Sequence, residues 1–136
     1  MPITMATSVA KKILVADGDC QVLELAGALL RKQGYEVVLA RDAREALGKA
    51  LSESPDAILL DDSLPGMGHT DICTMLKSNK ATQKIPLGFL TGLQAAKGRA
   101  AVQQGGVLLF LPKPFKPQQL ISSVSLLVSA RLKSTR

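Results

Sequence analysis

Apolar positions along the chain follow two alternating rhythms. Short apolar-rich runs at Ile13-Leu14-Val15-Ala16, Tyr35 to Ala40 (interrupted by Glu36), Ala57 to Leu60, Ile85 to Leu90 and Val107 to Leu111 are flanked by turn-forming residues. Aliphatic runs of this length read as strands buried on both faces, as in a parallel sheet. Pro86 stands at the start of its strand, where a missing N–H is tolerated. Between the runs, apolar residues recur at helical spacing. Val22, Leu23, Ala26, Leu29 and Leu30 predict a helix closed by Gln33-Gly34. Asp42-Ala-Arg-Glu45 is a capping box, in which Asp42 accepts a backbone N–H and Glu45 reaches back. The helix it starts should reach about Ser52, with Ala46, Leu47, Ala50 and Leu51 inward. Ile72, Met75 and Leu76 mark a third helix, ending near Ser78-Asn79. Ala95 to Gln104 predicts a short fourth, weakened by Gly98 and stopped by Gly105-Gly106. Pro117 starts a fifth, with Leu120, Ile121, Val124, Leu127 and Val128 in one stripe. Strand and helix alternate five times, which predicts right-handed crossovers, one parallel sheet and helices on both faces.

The stretch Pro55-Asp-Ala-Ile-Leu-Leu-Asp-Asp-Ser-Leu-Pro-Gly-Met67 organises the rest. Its apolar run ends in Asp61 and Asp62, followed by a Pro65-Gly66 loop. In open α/β sheets, ligands bind at the carboxyl ends of the strands. Four of the five runs finish in a polar or chargeable residue: Asp17, Asp61, Thr91 and Lys113. A parallel sheet brings all four to one edge. Taken singly, Asp61 and Thr91 read as a helix-preceding cap and a turn former; together the four point to a site.

Composition narrows the field. A chain of 136 residues predicts one domain with a real core, and 3% aromatic residues without Trp make that core aliphatic. No apolar run approaches the length of a membrane span. Residues 1–10 lack the basic and apolar regions of a secretory signal and read as a disordered tail, with Met5 as a second start; 133–136 form a C-terminal tail. Cys20 and Cys73 have no metal-ligand spacing and read as reduced structural thiols of a cytoplasmic protein. His69, the single histidine, reads as a solvated loop residue. The net charge of +6 is unevenly spread. Residues 1–71 hold all 11 acidic residues and 7 of the 17 Lys and Arg, while the remainder has no acid. With no consecutive basic residues in 72–136, no aromatic interleaving and no helix-turn-helix pattern, direct nucleic-acid binding is not expected.

The segments ILVADGD (13–19), PDAILLDDSLPGM (55–67), IPLGFLTG (85–92) and LPKPF (111–115) occur in the order and at the intervals of a known family. From residue 11 to about 132 the chain resembles the receiver domain of bacterial two-component response regulators. The resemblance implies a flavodoxin-like (βα)5 fold. It implies phosphorelay signalling, with Asp61 as phosphoacceptor from a histidine kinase or phosphotransfer protein, and no enzymatic activity beyond self-catalysed phosphotransfer and dephosphorylation. It also implies that Lys113 neutralises phosphoryl charge, that Thr91 donates to a phosphoryl oxygen, and that Thr91 and Phe110 are switch residues. Magnesium would be held by Asp17, Asp61 and the Ser63 backbone carbonyl. The Lys113-Pro114 bond resembles one that is commonly cis in the family.

Two departures qualify this. The family ends its first strand with two adjacent acids, whereas here Gly18 follows Asp17. Losing one charge at contact distance costs about 1–4 kcal/mol, weakening metal binding by roughly tenfold to several hundredfold. Leu108-Leu109 replace acidic residues common before the aromatic. The face carrying Lys97, Arg99, Leu109, Arg131 and Lys133 should therefore be basic with apolar spots, either plainly solvated or a docking site for an output partner. A pseudo-receiver that binds a partner without phosphorylation is the alternative suggested by Gly18. A flavodoxin-like cofactor binder is disfavoured by the acidic Asp17-Gly18-Asp19 loop.

Overall fold

The structure is a computed structural model that describes residues 10–66, 69–91 and 107–134. Strands β1 (Lys12–Ala16), β2 (Glu36–Ala40), β3 (Ala57–Asp61), β4 (Leu87–Thr91) and β5 (Val107–Pro112) form one sheet in the order β2-β1-β3-β4-β5, every neighbouring pair parallel. Helices α1 (Cys20–Lys32), α2 (Ala43–Glu53), α3 (His69–Ser78) and α4 (Pro117–Ser134) complete the described elements. The helix expected over Ala95–Gln104 lies outside the described residues, as does nearly all of the expected N-terminal tail.

The two faces of the sheet carry separate aliphatic cores. Leu14, Ile58, Leu60, Leu87 and Phe89 pack with Ala46 and Ala50 of α2 and Ile72 and Leu76 of α3. Ile13, Val15, Leu59 and Leu90 pack with Leu23 and Leu30 of α1 and Leu120, Val124 and Leu127 of α4. Residues of β3 and β4 are buried throughout, as their unbroken apolar runs require.

Local chemistry sets most boundaries. Gly34, at φ 97°, follows the end of α1 and donates its N–H to the Arg31 carbonyl at 2.9 Å. At the start of α2, Asp42 accepts the Glu45 N–H at 2.8 Å, while Glu45 takes the Arg41 N–H at 2.7 Å, one residue earlier than a simple capping box.

Some expectations are corrected. Leu51 faces solvent, because the inward face of α2 is completed by Ala43, Ala46 and Ala50. Met75 is likewise exposed. β4 begins at Leu87 because Ile85 closes a turn on the Thr82 carbonyl at 3.0 Å. His69 opens α3 in its backbone and does not sit in the preceding loop. Cys73 is buried, and burial pushes its thiol up to about 11, as suits a core residue. Cys20 is exposed at the start of α1 and is not a core thiol.

Between β4 and β5 the register shifts at Leu87/Gly88, so Leu87 pairs with Val107 and Gly88 with Leu109. The residue left over, Leu108, is 55% exposed. A Cβ on Gly88 would lie 2.8 Å from Leu109, 3.1 Å from Leu59 and 3.2 Å from Leu127, so glycine lets α4 lie close to the sheet.

Candidate functional site

Parallel strands deliver Asp17, Asp61, Thr91 and Lys113 to one edge, and the side chains meet there. Asp17 follows β1 directly and is fully buried; its Oδ2 accepts from Lys113 Nζ at 2.9 Å. Asp61 ends β3, is 5% exposed, and holds the same ammonium through Oδ1 at 3.3 Å. Lys113 extends from the loop after β5, whose Lys113-Pro114 bond is cis, as the resemblance implied. The Lys113 N–H donates to the Thr91 carbonyl at 2.7 Å, which ties that loop to the end of β4.

Each carboxylate is oriented by its own turn. Asp17 Oδ1 accepts the Asp19 N–H at 2.8 Å. Asp61 Oδ1 accepts the Ser63 N–H and the Ser63 hydroxyl, both at 3.2 Å. Among the described residues, nothing donates to Asp61 Oδ2. Burial raises the Asp17 carboxyl above its usual value, although the Asp19 N–H and Lys113 pull the other way. Burial works to lower Lys113, but the hydrogen bond it donates to Asp17 and the charge of Asp61 outweigh it and leave the ammonium pKa raised. Lys113 is therefore charged throughout the neutral range.

Thr91 is buried at the end of β4, but its hydroxyl does not point to Asp61. It donates to Asp62 Oδ2 at 2.8 Å. Sequence reasoning named Asp62 but gave it no role, since the direction of its side chain depends on the turn after β3. Phe110 is half-buried and stacks on Phe89 with ring centroids 6.2 Å apart and planes 22° apart.

Asp19 does not replace the missing acid. Its side chain caps α1 by accepting the Gln21 N–H at 2.8 Å. The space a residue-18 side chain would enter is lined by Pro65, whose Cδ and Cγ lie 3.2 and 3.3 Å from a Cβ built on Gly18. Pro65 is held in turn by its carbonyl, which accepts the Ala43 N–H at 2.9 Å. Among the described residues no three His, Cys, Asp or Glu side chains cluster as metal ligands. Two buried carboxylates facing one ammonium nevertheless leave a net negative charge, and oxygen donors of this kind suit magnesium that keeps several waters.

Of the basic face, Leu109 and Arg131 are partly buried. Lys97 and Arg99, and the side chain of Lys133, lie outside what is described. No helix among the described residues is long and apolar enough to cross a membrane.

Comparison with known proteins agrees with this geometry. The family model described as the response regulator receiver domain matches residues 13–125. The response regulator MprA of Mycolicibacterium vanbaalenii is 35% identical over 117 residues, covering 86% of this chain and 50% of that protein. The alkaline phosphatase synthesis transcriptional regulatory protein PhoP of Bacillus subtilis is 33% identical over 84% of this chain and 47% of its own. The chain thus spans about half the length of the curated relatives it matches. The chemotaxis response regulator CheY4 of Vibrio cholerae superposes with a TM-score of 0.82 at 26% identity, covering 88% of this chain and 99% of that one. A CheY-like receiver domain protein of Methanospirillum hungatei superposes at 0.83 and 26% identity, over 93% and 99%. With the Asp17–Lys113–Asp61 cluster at the carboxyl edge of a five-stranded parallel sheet, these matches show that the chain belongs to the response regulator receiver family.

Proposed function

We propose that Asp61 is the phosphoacceptor and that residues 11–132 act as a receiver unit switched by its phosphorylation. The observation that carries this is the bridging of Lys113 Nζ to Asp17 and Asp61 at 2.9 and 3.3 Å, which engages Asp61 through Oδ1 and not Oδ2. Phosphoryl transfer is mostly positioning and charge neutralisation. Oδ2 forms the new O–P bond as the P–N bond to a kinase imidazole breaks, and the imidazole leaves with the bonding electron pair. Lys113 offsets the charge on the transferred oxygens, and the Thr91 hydroxyl becomes a donor to one of them. Asp17, Asp61 and the Ser63 carbonyl would hold magnesium, weakly because Gly18 offers no carboxylate. When bound, the ion supplies further positive charge to the phosphoryl oxygens. Phosphorylation then biases a two-state element around Thr91 and Phe110.

A histidine kinase or phosphotransfer protein is the donor in this reading, and output passes through the basic face that includes Leu109 of β5 and Arg131 of α4. The MtrA relatives are described as DNA-binding, but the matched region is about half of each, and we assign this chain no direct nucleic-acid contact. The unpaired thiols of Cys20 and Cys73 accord with a cytoplasmic setting.

Incubation with a small-molecule phosphodonor and magnesium, read by peptide mass, should place one phosphoryl group on Asp61 and none on Asp61→Asn. An unmodified wild type beside a modified Gly18→Asp variant would refute the native switch.

A further inference from the structure

We propose that Asp62 is an internal competitor for the Thr91 hydroxyl, holding the switch in its unphosphorylated setting until a phosphoryl group on Asp61 takes that proton. The inference rests on the phosphoacceptor role proposed for Asp61. A threonine hydroxyl has a single proton to donate, and here it goes to Asp62 Oδ2 at 2.8 Å. The contact joins residues 29 apart in sequence, and the backbone holds it in place: the Asp62 N–H donates to the Leu90 carbonyl at 3.0 Å, carrying the β3–β4 pairing one residue past Asp61. Thr91 is 1% exposed, so its hydroxyl depends on a protein acceptor in the resting chain. A carboxylate is the strong form of that acceptor.

Asp62 itself is only partly buried. Once Thr91 turns to the phosphoryl group, water can solvate the released carboxylate, so the exchange is reversible. Asp62 also presents a like charge next to the modified residue. Both effects oppose phosphorylation, but only the first passes through Thr91, and that difference separates them experimentally.

The test is a beryllofluoride titration in magnesium, followed by amide NMR, on wild type, Asp62→Ala, Asp62→Asn, Thr91→Ala and the Asp62→Ala/Thr91→Ala double variant. Asp62→Ala should bind about tenfold more tightly than wild type, equivalent to ~1.4 kcal/mol. Asp62→Asn should gain less, because its amide oxygen still accepts. In the Thr91→Ala background, Asp62→Ala should gain clearly less, only what relief of the like charge supplies. Equal affinities in wild type and Asp62→Ala, or the same gain with and without Thr91, would overturn it while leaving the Asp61 reading intact. No response from any variant would remove the phosphoacceptor reading and this inference with it.

Discussion

The turns that end β1 and β3 are built alike and used differently. In each, a strand-terminal aspartate accepts the N–H of the residue two positions on, Asp19 for Asp17 and Ser63 for Asp61. Both then hold the same Lys113 ammonium. The differences lie in burial and in the middle residue. Asp17 is fully enclosed, with both oxygens engaged by donors, whereas Asp61 keeps Oδ2 outside these contacts. Gly18 sits under Pro65 and contributes no charge, while Asp62 contributes a carboxylate that reaches Thr91. Repeating one turn thus yields two carboxylates that share one cation but differ in burial and in which of their oxygens are engaged.

Removing the shared cation should break the comparison most severely. Lys113→Met leaves two buried carboxylates facing each other and withdraws charge stabilisation from the transfer. By analogy with loss of one preorganised electrostatic donor, phosphorylation of Asp61 should slow by about 100- to 1,000-fold. Stopped-time mass analysis with a small phosphodonor measures this.

Next in size is a change that makes the first turn resemble the second. Gly18→Asp restores a carboxylate, and magnesium affinity should rise by roughly tenfold or more. The new Cβ crowds the Pro65 ring, so the variant should lose about 1 kcal/mol of stability in urea unfolding, at the low end for overpacking.

The pH dependence sharpens the contrast in burial. The Asp17 carboxyl is raised above its ordinary 3.8, chiefly by burial, so the folded chain binds that proton more tightly than the unfolded one. This group's contribution therefore falls as pH rises from 3.8 through its folded value. Lys113 is also raised, so its contribution is complete below the ordinary 10.5 and is lost only as pH rises through its higher folded value. Urea midpoints against pH should show Asp17→Asn removing the acid-side component and shrinking the alkaline one, because Asp17 leads the partners that raise Lys113.

The smallest effect belongs to Ser63, whose hydroxyl supports Asp61 at 3.2 Å without a counterpart at Asp17. Ser63→Ala should cost about 0.5 kcal/mol of stability, the low end for one hydrogen bond. A larger loss would mean that the two turns depend on different supports.

Much of this was legible in the chain because parallel β-structure turns sequence order into position. Once Asp17, Asp61, Thr91 and Lys113 are recognised as strand ends, a common edge follows. The Asp62–Thr91 contact was not legible, since it depends on where one side chain points as the chain leaves β3. Nor was the register shift that exposes Leu108, because Val107 to Leu111 reads as an unbroken apolar run. Leu51 misled for a similar reason. Helical spacing places it near the apolar face, but the alanines of α2 bring the helix close to the sheet without it.

The most direct test of the central claim is a magnesium titration with and without beryllofluoride, followed through the amide signals of Asp61, Thr91 and Phe110. Saturation in the low millimolar range, with shifts extending from Asp61 to Thr91 and Phe110, is the predicted result. No response at tens of millimolar would contradict a phosphorylation switch at Asp61.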